Sequence, residues 1–425
     1  MIVLYTLIMS VILGVIYPFA LITALFGYTR FKDRLHAPSI LTDNNARNVW
    51  IHAASVGEAG IAFSMACEIK RHYPHTHIFI STTTSTGLDR IHRLNESSGK
   101  SSVESVFFTP FDHPFITGKF VRRIKPTLFI LVETELWPWL IKSVNRAGIP
   151  ITIINGKLSR RAFRRYMIVR SAMGEIVKKI SLICVQSRTF EKRFKLLGVP
   201  DERIEIFGNI KFDSLPKPSD YDREQLRLAF GIPEKVKVFI AGSTRPGEEE
   251  IVIRSYTKVI MKHPELVMVI APRHLNRVSE IEKALQDVGL SYVKRSTGET
   301  LADSGKNIMI LDTLGELISS FVFADAAFIG GSLRDFGGHN PLEPAALGIP
   351  VLFGPYMEQM GSKELLNEGA AVLVHNEDDL ADALNAILEG GDTSHYMKEA
   401  GPRIVSRFQG TLARTLMCMK KRQLI

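Results

Sequence analysis

The sequence predicts an α/β protein of two doubly wound, parallel-sheet domains preceded by an N-terminal membrane helix. Three observations carry this. From residue 48 to about residue 400, short apolar runs rich in β-branched and aromatic residues alternate with helical stretches, the pattern of βαβ units. A stretch rich in proline and aspartate, DSLPKPSDYDREQ over 213–225, has no apolar periodicity and divides this alternation in two. Residues 2–28 carry no charged side chain. A length of 425 residues, at roughly 150 per domain, gives two or three domains, each able to bury a core.

In chain order, residues 1–29 come first, as an anchor. At 1.5 Å per residue such a run spans the ~30 Å hydrocarbon layer with some tilt. No Lys or Arg precedes it, as a cleaved signal peptide would require. Arg30, Lys32 and Arg34 follow it, so the positive-inside tendency places the rest of the chain on the cytoplasmic side. Tyr5, Tyr17 and Pro18 weaken the segment and leave open a monotopic hairpin, a partly inserted helix, or a buried first helix of the soluble fold.

Residues 30–212 form the first domain. NVWIHAAS, HIFISTTTST, SVFFTPF, PTLFILVET, ITIINGK, ISLICVQS and IEIFGNIKF read as strands, with helices between them at Val56–His72, GLDRIHRLN and LWPWLIKSVNRAG. The linker 213–225 follows. In the second domain, 226–400, the strands are KVKVFIAGS, LVMVIAPRH, LSYVKR, NIMILDT, ADAAFIGGS, IPVLFGP and AAVLVHN. Helices are expected at Glu248–Lys262, Val278–Val288, from Pro341, and in the amphipathic DDLADALNAILEG. Residues 401–425 form a C-terminal helical segment. Two such halves place a ligand cleft between them, outside the carboxyl ends of the strands.

A composition of 45% hydrophobic and 23% charged residues excludes disorder, collagen and coiled coil as whole-chain readings. Cys67, Cys184 and Cys418 are far apart and odd in number, so they encode neither a disulfide framework nor a cysteine zinc site. Neither half has G-x-G-x-x-G or G-x-x-x-x-G-K-[ST], which disfavours a dinucleotide dehydrogenase or P-loop enzyme. Net charge is +9, from 53 Lys and Arg against 44 Asp and Glu, which fits nucleic acid, membrane or a phosphorylated substrate equally. The aromatic interleaving of a nucleic-acid platform is absent.

Several constellations could carry chemistry. In HAASVGEAG (52–60) a strand ends and a helix begins, and Glu58 falls in the first turn, either at a cleft edge or complementing the helix dipole. In ILVETELWPWL (130–140), Glu133 and Glu135 follow a strand's carboxyl end. Near another acid they would raise each other's pKa, and without one they are surface acids. Arg160, Arg161, Arg164 and Arg165 form i,i+4 pairs on one helical face, suited to phosphate or simply solvated. Lys211 in GNIKFD lies just before the linker, where a surface lysine is the simpler reading. The second half offers Pro272 and Arg273 in APRH, Leu314, Gly315 and Glu316 in DTLGEL, and the glycine loops of FIGGSLRDFGGHNPLEPAALG (328–348). There Asn340, Pro341 and Glu343 read as N-cap, N1 and N3 of a helix, with Leu342 between, and the loops form an anion cradle or an unliganded cap. His72, His75 and His77 lack helical metal-ligand spacing, and no metal centre is expected. His274 and His339 are placed to line a nucleotide site, with no partner legible in the sequence.

Taken in order, HAASVGE, ETELWP, NGKLS, GNIKFD, PRH, LGE, GGS and GGHNPLEP closely resemble the 3-deoxy-D-manno-octulosonate (Kdo) transferase family, nearly end to end. The resemblance implies a GT-B fold of two Rossmann-like domains behind an N-terminal signal-anchor, held at the bacterial inner membrane and facing the cytoplasm. It implies inverting transfer of Kdo from CMP-Kdo to the tetraacyldisaccharide bisphosphate lipid A precursor of lipopolysaccharide, with no cofactor, no metal and no nucleic acid partner. Glu58 would be the general base, and Glu133 and Lys211 would stabilise the transition state. Pro272, Arg273, Leu314, Gly315, Glu316, Asn340, Pro341, Leu342 and Glu343 would bind CMP. Apart from the resemblance, the helical clustering of Arg160, Arg161, Arg164 and Arg165 suits an acceptor phosphate or the lipid surface. The rival reading within enzymes is a GT-B transferase that uses another nucleotide sugar on a membrane lipid.

Overall fold

In a computed structural model the described residues are 2–25, 30–38, 47–97 and 102–425, with side chains described for all but 2, 16–25 and 30–31. Two units emerge, Met1–Asp213 together with Gly410–Ile425, and Ser214–Gln409.

The first unit is built on β1 (Asn48–Ala53), β2 (His77–Thr82), β3 (Ser105–Phe108), β4 (Leu128–Val132), β5 (Ile151–Gly156), β6 (Leu182–Val185) and β7 (Ile204–Ile206). Their spatial order is β3-β2-β1-β4-β5-β6-β7, and every pair is parallel. Every residue of β1, β4 and β5 is buried, which is why these strands read as unbroken apolar runs rather than alternating ones. In register, Trp50 sits opposite Phe79 and Phe129, its ring centroid 4.8 Å from that of Phe129. The indole N–H finds the Ser81 hydroxyl at 2.8 Å, so burying this large ring leaves no polar atom stranded. The order reverses direction between β1 and β4, and a doubly wound sheet opens its crevice at the carboxyl ends of such a pair.

The helix Val56–His72 covers this sheet with Ala59, Ala62, Met65, Ala66 and Ile69, spaced for one helical face. The last helix of the chain, Thr411–Lys421, returns to the first unit. Asp213 accepts the N–H groups of Thr411 (3.0 Å) and Leu412 (2.6 Å), capping it across roughly 200 residues of sequence. Leu416 and Met419 enter the same apolar cluster as Ile51 and Ile80.

The second unit holds β8 (Val238–Thr244), β9 (Val267–Pro272), β10 (Val293–Lys294), β11 (Ile308–Ile310), β12 (Ala326–Ile329), β13 (Val351–Phe353) and β14 (Ala371–Leu373). The order is β10-β11-β9-β8-β12-β13-β14, again all parallel, with its reversal between β8 and β12. Gly330 follows β12, and a Cβ there would sit 2.3 Å from the Ser243 carbonyl oxygen, so only glycine lets the two chains pass this closely.

Residues 213–225 carry short 3-10 turns ending at Ser214 and spanning Pro218–Asp220, and the helix Arg223–Ala229 begins within them. The expected anchor, 1–29, contains the helix Ile2–Leu25, and residues 1 and 26–29 lie outside the described residues. Among the described residues no helix is long and apolar enough to cross a membrane. The helix is docked on the first unit through Tyr5, which donates to Asp112 at 2.8 Å, and Thr6, which accepts from the Trp139 indole at 3.0 Å.

Candidate active site

At the carboxyl ends of β1 and β4 lies a cavity of about 450 Å³ lined by Glu58, Glu133, Thr134, Glu135, Leu136, Trp137, Lys157, Ser159, Ala162, Arg165 and Tyr166. Each wall has a local cause. Ser55 caps the helix Val56–His72 by accepting the Glu58 N–H at 3.3 Å, and Glu58 answers by accepting from the Ser55 hydroxyl (2.9 Å) and the Ala54 N–H (2.7 Å). Glu58 thus closes the cap and also lines the cavity. The carboxylate offers about four lone-pair positions, and the cap occupies two.

Glu133 adopts φ +60, a left-handed conformation that costs a non-glycine residue roughly 1–3 kcal/mol. Its N–H still bonds the Ile154 carbonyl at 2.9 Å, so the turn off β4 stays tied to the sheet. The other end of that turn is held by Asp112, which accepts the N–H groups of Trp139 (3.0 Å) and Leu140 (2.7 Å) and so caps the helix Pro138–Arg146. Burial pushes the Asp112 carboxyl up, opposed by the Trp139, Tyr5 and Leu140 donors.

Lys211 is brought to the same place by Asn155, itself at φ +53, whose side chain accepts the Ile210 N–H at 2.9 Å. The Lys211 ammonium lies 3.3 Å from where a Cβ on Gly57 would stand, so glycine at 57 lets this lysine approach the helix start that carries Glu58. The three residues expected to be catalytic thus meet in one unit.

Burial and the Glu58 charge push the Glu133 carboxyl up, while Lys157 and Lys211 pull it down. Glu135 is pushed up to about 7 by burial, Glu58 and Glu133, against the Trp137 indole N–H that donates to it at 3.1 Å. A carboxyl whose pKa rises on folding favours the folded chain while protonated. That advantage is lost as pH climbs from the ordinary carboxylate range through about 7. Glu135→Gln therefore raises Tm relative to wild type more at about pH 8 than at about pH 5. A Tm difference that is flat across that interval contradicts this assignment.

The four arginines part company. Arg165 lines the cavity and Arg160, Arg161 and Arg164 do not; the helix Arg160–Ile168 that carries them buries no residue. Lys157, Trp137 and Tyr166 were not singled out as site residues from sequence. Lys157 could have been, since it follows β5 directly and ligand sites lie at strand carboxyl ends.

In the second unit, Pro272 ends β9, and the Arg273 N–H bonds the Thr244 carbonyl at 3.1 Å. Leu314 is 82% exposed and Gly315 takes φ +88. The carboxylate of Glu316 is held below the ordinary range by Arg295, at 2.9 Å, and Thr313. Sequence reading placed an N-cap at Asn340, but the helix is Leu342–Ala346 with Pro341 before it. Asn340 nonetheless accepts the Leu342 N–H (3.1 Å) and donates to Glu343 (3.1 Å), so it bridges the turn from one residue further out. Burial pushes the Glu343 carboxyl up against that bond.

The comparisons agree with this geometry. Residues 29–214 match the family described as 3-deoxy-D-manno-octulosonic-acid transferase (kdotransferase). The chain is 34% identical over 377 residues to the 3-deoxy-D-manno-octulosonic acid transferase of Haemophilus influenzae, covering 88% of this chain and 87% of that one. It is 31% identical over 331 residues to the enzyme of the same name from Chlamydophila psittaci, covering 76% and 73%. In fold alone it is similar to UDP-GlcNAc 2-epimerase from Neisseria meningitidis, with TM-score 0.62 at 16% identity over 88% of this chain and 100% of that one. With a third of its residues shared along nearly its whole length, the chain belongs to the 3-deoxy-D-manno-octulosonic acid (Kdo) transferase family and is a glycosyltransferase.

Proposed function

We propose that the protein moves Kdo from CMP-Kdo to a hydroxyl of the tetraacyldisaccharide bisphosphate lipid A precursor, by inverting displacement. The observation that carries this is the first-unit cavity, where Glu58 and Glu133 meet Lys157, with Lys211 near enough to pull the Glu133 carboxyl down. Glu58 takes the proton of the acceptor hydroxyl as its oxygen attacks the anomeric carbon. The bond from that carbon to the phosphate oxygen breaks, and CMP leaves with the electron pair. Glu133 and Lys211 hold fixed charge of both signs beside the reacting hydroxyl, positioned before the reaction begins. Pro272, Arg273, Leu314 through Glu316 and Asn340 through Glu343 bind CMP in the second unit. The uncharged residues 2–28 serve as a signal-anchor in the inner membrane, with both units in the cytoplasm beside an anionic lipid surface that suits the net charge of +9.

Full-length protein supplied with CMP-Kdo and the lipid A precursor releases CMP and yields a lipid heavier by Kdo units in mass spectrometry. A folded preparation that does neither sinks the reading. Preference for UDP over CMP in ligand-induced thermal shift favours a transferase of another nucleotide sugar.

Since Arg165, and not Arg160, Arg161 or Arg164, lines the cavity, Arg165→Glu raises the apparent KM for the bisphosphorylated acceptor about tenfold and leaves donor KM in place. Arg161→Glu has a smaller effect, set by the general attraction of the basic face. Equal effects of the two would remove Arg165 from the acceptor site.

A further inference from the structure

At the reversal point of the second sheet, arginines and histidines gather from three separate segments. Arg245 follows β8, Arg273 and His274 follow β9, and His339 lies in the glycine loop after β12. Arg245 is the hub. Its Nε donates to His339 Nε2 at 3.3 Å, and its Nη1 lies 2.9 Å from His274 Nε2. Arginine has donors only, so both imidazoles accept at Nε2 and carry their proton on Nδ1. The guanidinium is further fixed over the Phe336 ring, 5.4 Å from its centroid. Two of its five N–H groups are spent on the histidines, which leaves three for a ligand.

Neither Arg245 nor Arg273 has a carboxylate partner among the described residues. The acid built into this turn, Glu248, is wholly buried, and its oxygens are taken up by the backbone N–H groups of Arg245, Gly331, Ser332 and Leu333. Positive charge is thus concentrated and left uncompensated. His339 registers it, pushed down to about 4 by burial and by Arg245, Arg273 and His274. Such a field, at the carboxyl end of a parallel sheet's reversal point, selects an anion.

We propose that Arg245, with His274 and His339 oriented by it and Arg273 alongside, forms an oxyanion-binding subsite that grips an acidic group of the donor. The inference rests on the Kdo-transferase reading. The donor offers two groups of this chemistry, the nucleotide phosphate and the carboxylate of the sugar acid. Arg245 acts here by direct contact, with a fork that suits either group bidentately.

The test is titration of the full-length protein with CMP, CMP-Kdo and cytidine, comparing wild type with Arg245→Met, which keeps the stem over Phe336, and Arg245→Lys. Arg245→Met is expected to weaken CMP by roughly 10- to 100-fold and cytidine by less than about twofold, with Arg245→Lys between. That pattern assigns the phosphate. Loss with CMP-Kdo but not with CMP assigns the sugar carboxylate and equally supports the subsite. Unchanged affinity for both ligands overturns it. Should Arg245→Met fail to fold, the same comparison is made with Arg245→Lys and His339→Gln. If wild type binds no cytidine nucleotide, the Kdo-transferase reading fails and the subsite is judged with UDP. A loss in Arg245→Met then supports it, while equal binding or no binding overturns it.

Discussion

Glu58→Gln lowers the rate of Kdo transfer on the order of 10³-fold while unfolding free energy stays within about 0.5 kcal/mol of wild type. The two halves of this result come from the two jobs the residue holds. Glutamine serves a capping box as well as glutamate, since its amide can still accept the Ala54 N–H and bond the Ser55 hydroxyl. It cannot take a proton from a hydroxyl. Glu58→Ala loses the cap as well, and falls by roughly 1 kcal/mol more in stability. Steady-state kinetics and urea unfolding on the same preparations separate the roles. A glutamine variant that keeps about a tenth of the wild-type rate removes Glu58 as the base, because a positioned general base contributes roughly 10²–10⁴-fold. A stable but inactive glutamine variant beside an unstable alanine variant establishes both roles.

Glu248→Ala destabilises the second unit by about 4 kcal/mol or more and abolishes CMP binding. The carboxylate is wholly buried and accepts four backbone N–H groups, those of Arg245 at 2.9 Å, Gly331 at 2.6 Å, Ser332 at 2.9 Å and Leu333 at 2.8 Å. Burial pushes this carboxyl up and the four donors pull it down. Alanine strands all four donors away from water, at about 1–3 kcal/mol each before relaxation. It also releases the turn that carries Arg245 from the loop that carries His339. Glu250→Ala, two residues on and exposed, serves as the control and changes stability by less than about 0.5 kcal/mol. A loss below about 1 kcal/mol in Glu248→Ala would show that water or a shifted loop satisfies the donors instead.

The contrast between Glu58 and Glu248 explains what could be read in advance. Glu58 sits three residues from its capping partner Ser55, at a strand-to-helix junction with a recognisable motif. Glu248 lies at the start of a run of three glutamates that looks like ordinary helix-dipole decoration. Its partners Gly331 and Ser332 are more than eighty residues away, and no local pattern names them. Asp112 is similar: its clients, Trp139 and Leu140, are 27 and 28 residues downstream. Arg245 has no local pattern to mark it, and only the fold brings His274 after β9 and His339 of the glycine loop to it.

The strands and the fold class were legible in the residues alone. Strands buried on both faces of a parallel sheet must be apolar throughout, so β1, β4, β5, β8 and β9 announce themselves, as do the helices between them. The motifs of the Kdo transferase family were equally legible, because they lie in short segments where strand turns into helix. The rest came from how the chain packs. Strand order put β1 beside β4 and β8 beside β12, and so chose which loops share a crevice. It turned Glu133, Glu135 and Lys157 toward Glu58, sent the helix Thr411–Lys421 back to Asp213, and set Arg165 in the cavity without Arg160, Arg161 and Arg164. The physical reason is the range of the forces. Propensity and periodicity act over one or two turns of chain, whereas charge, capping and burial act across whatever distance in sequence the fold has closed.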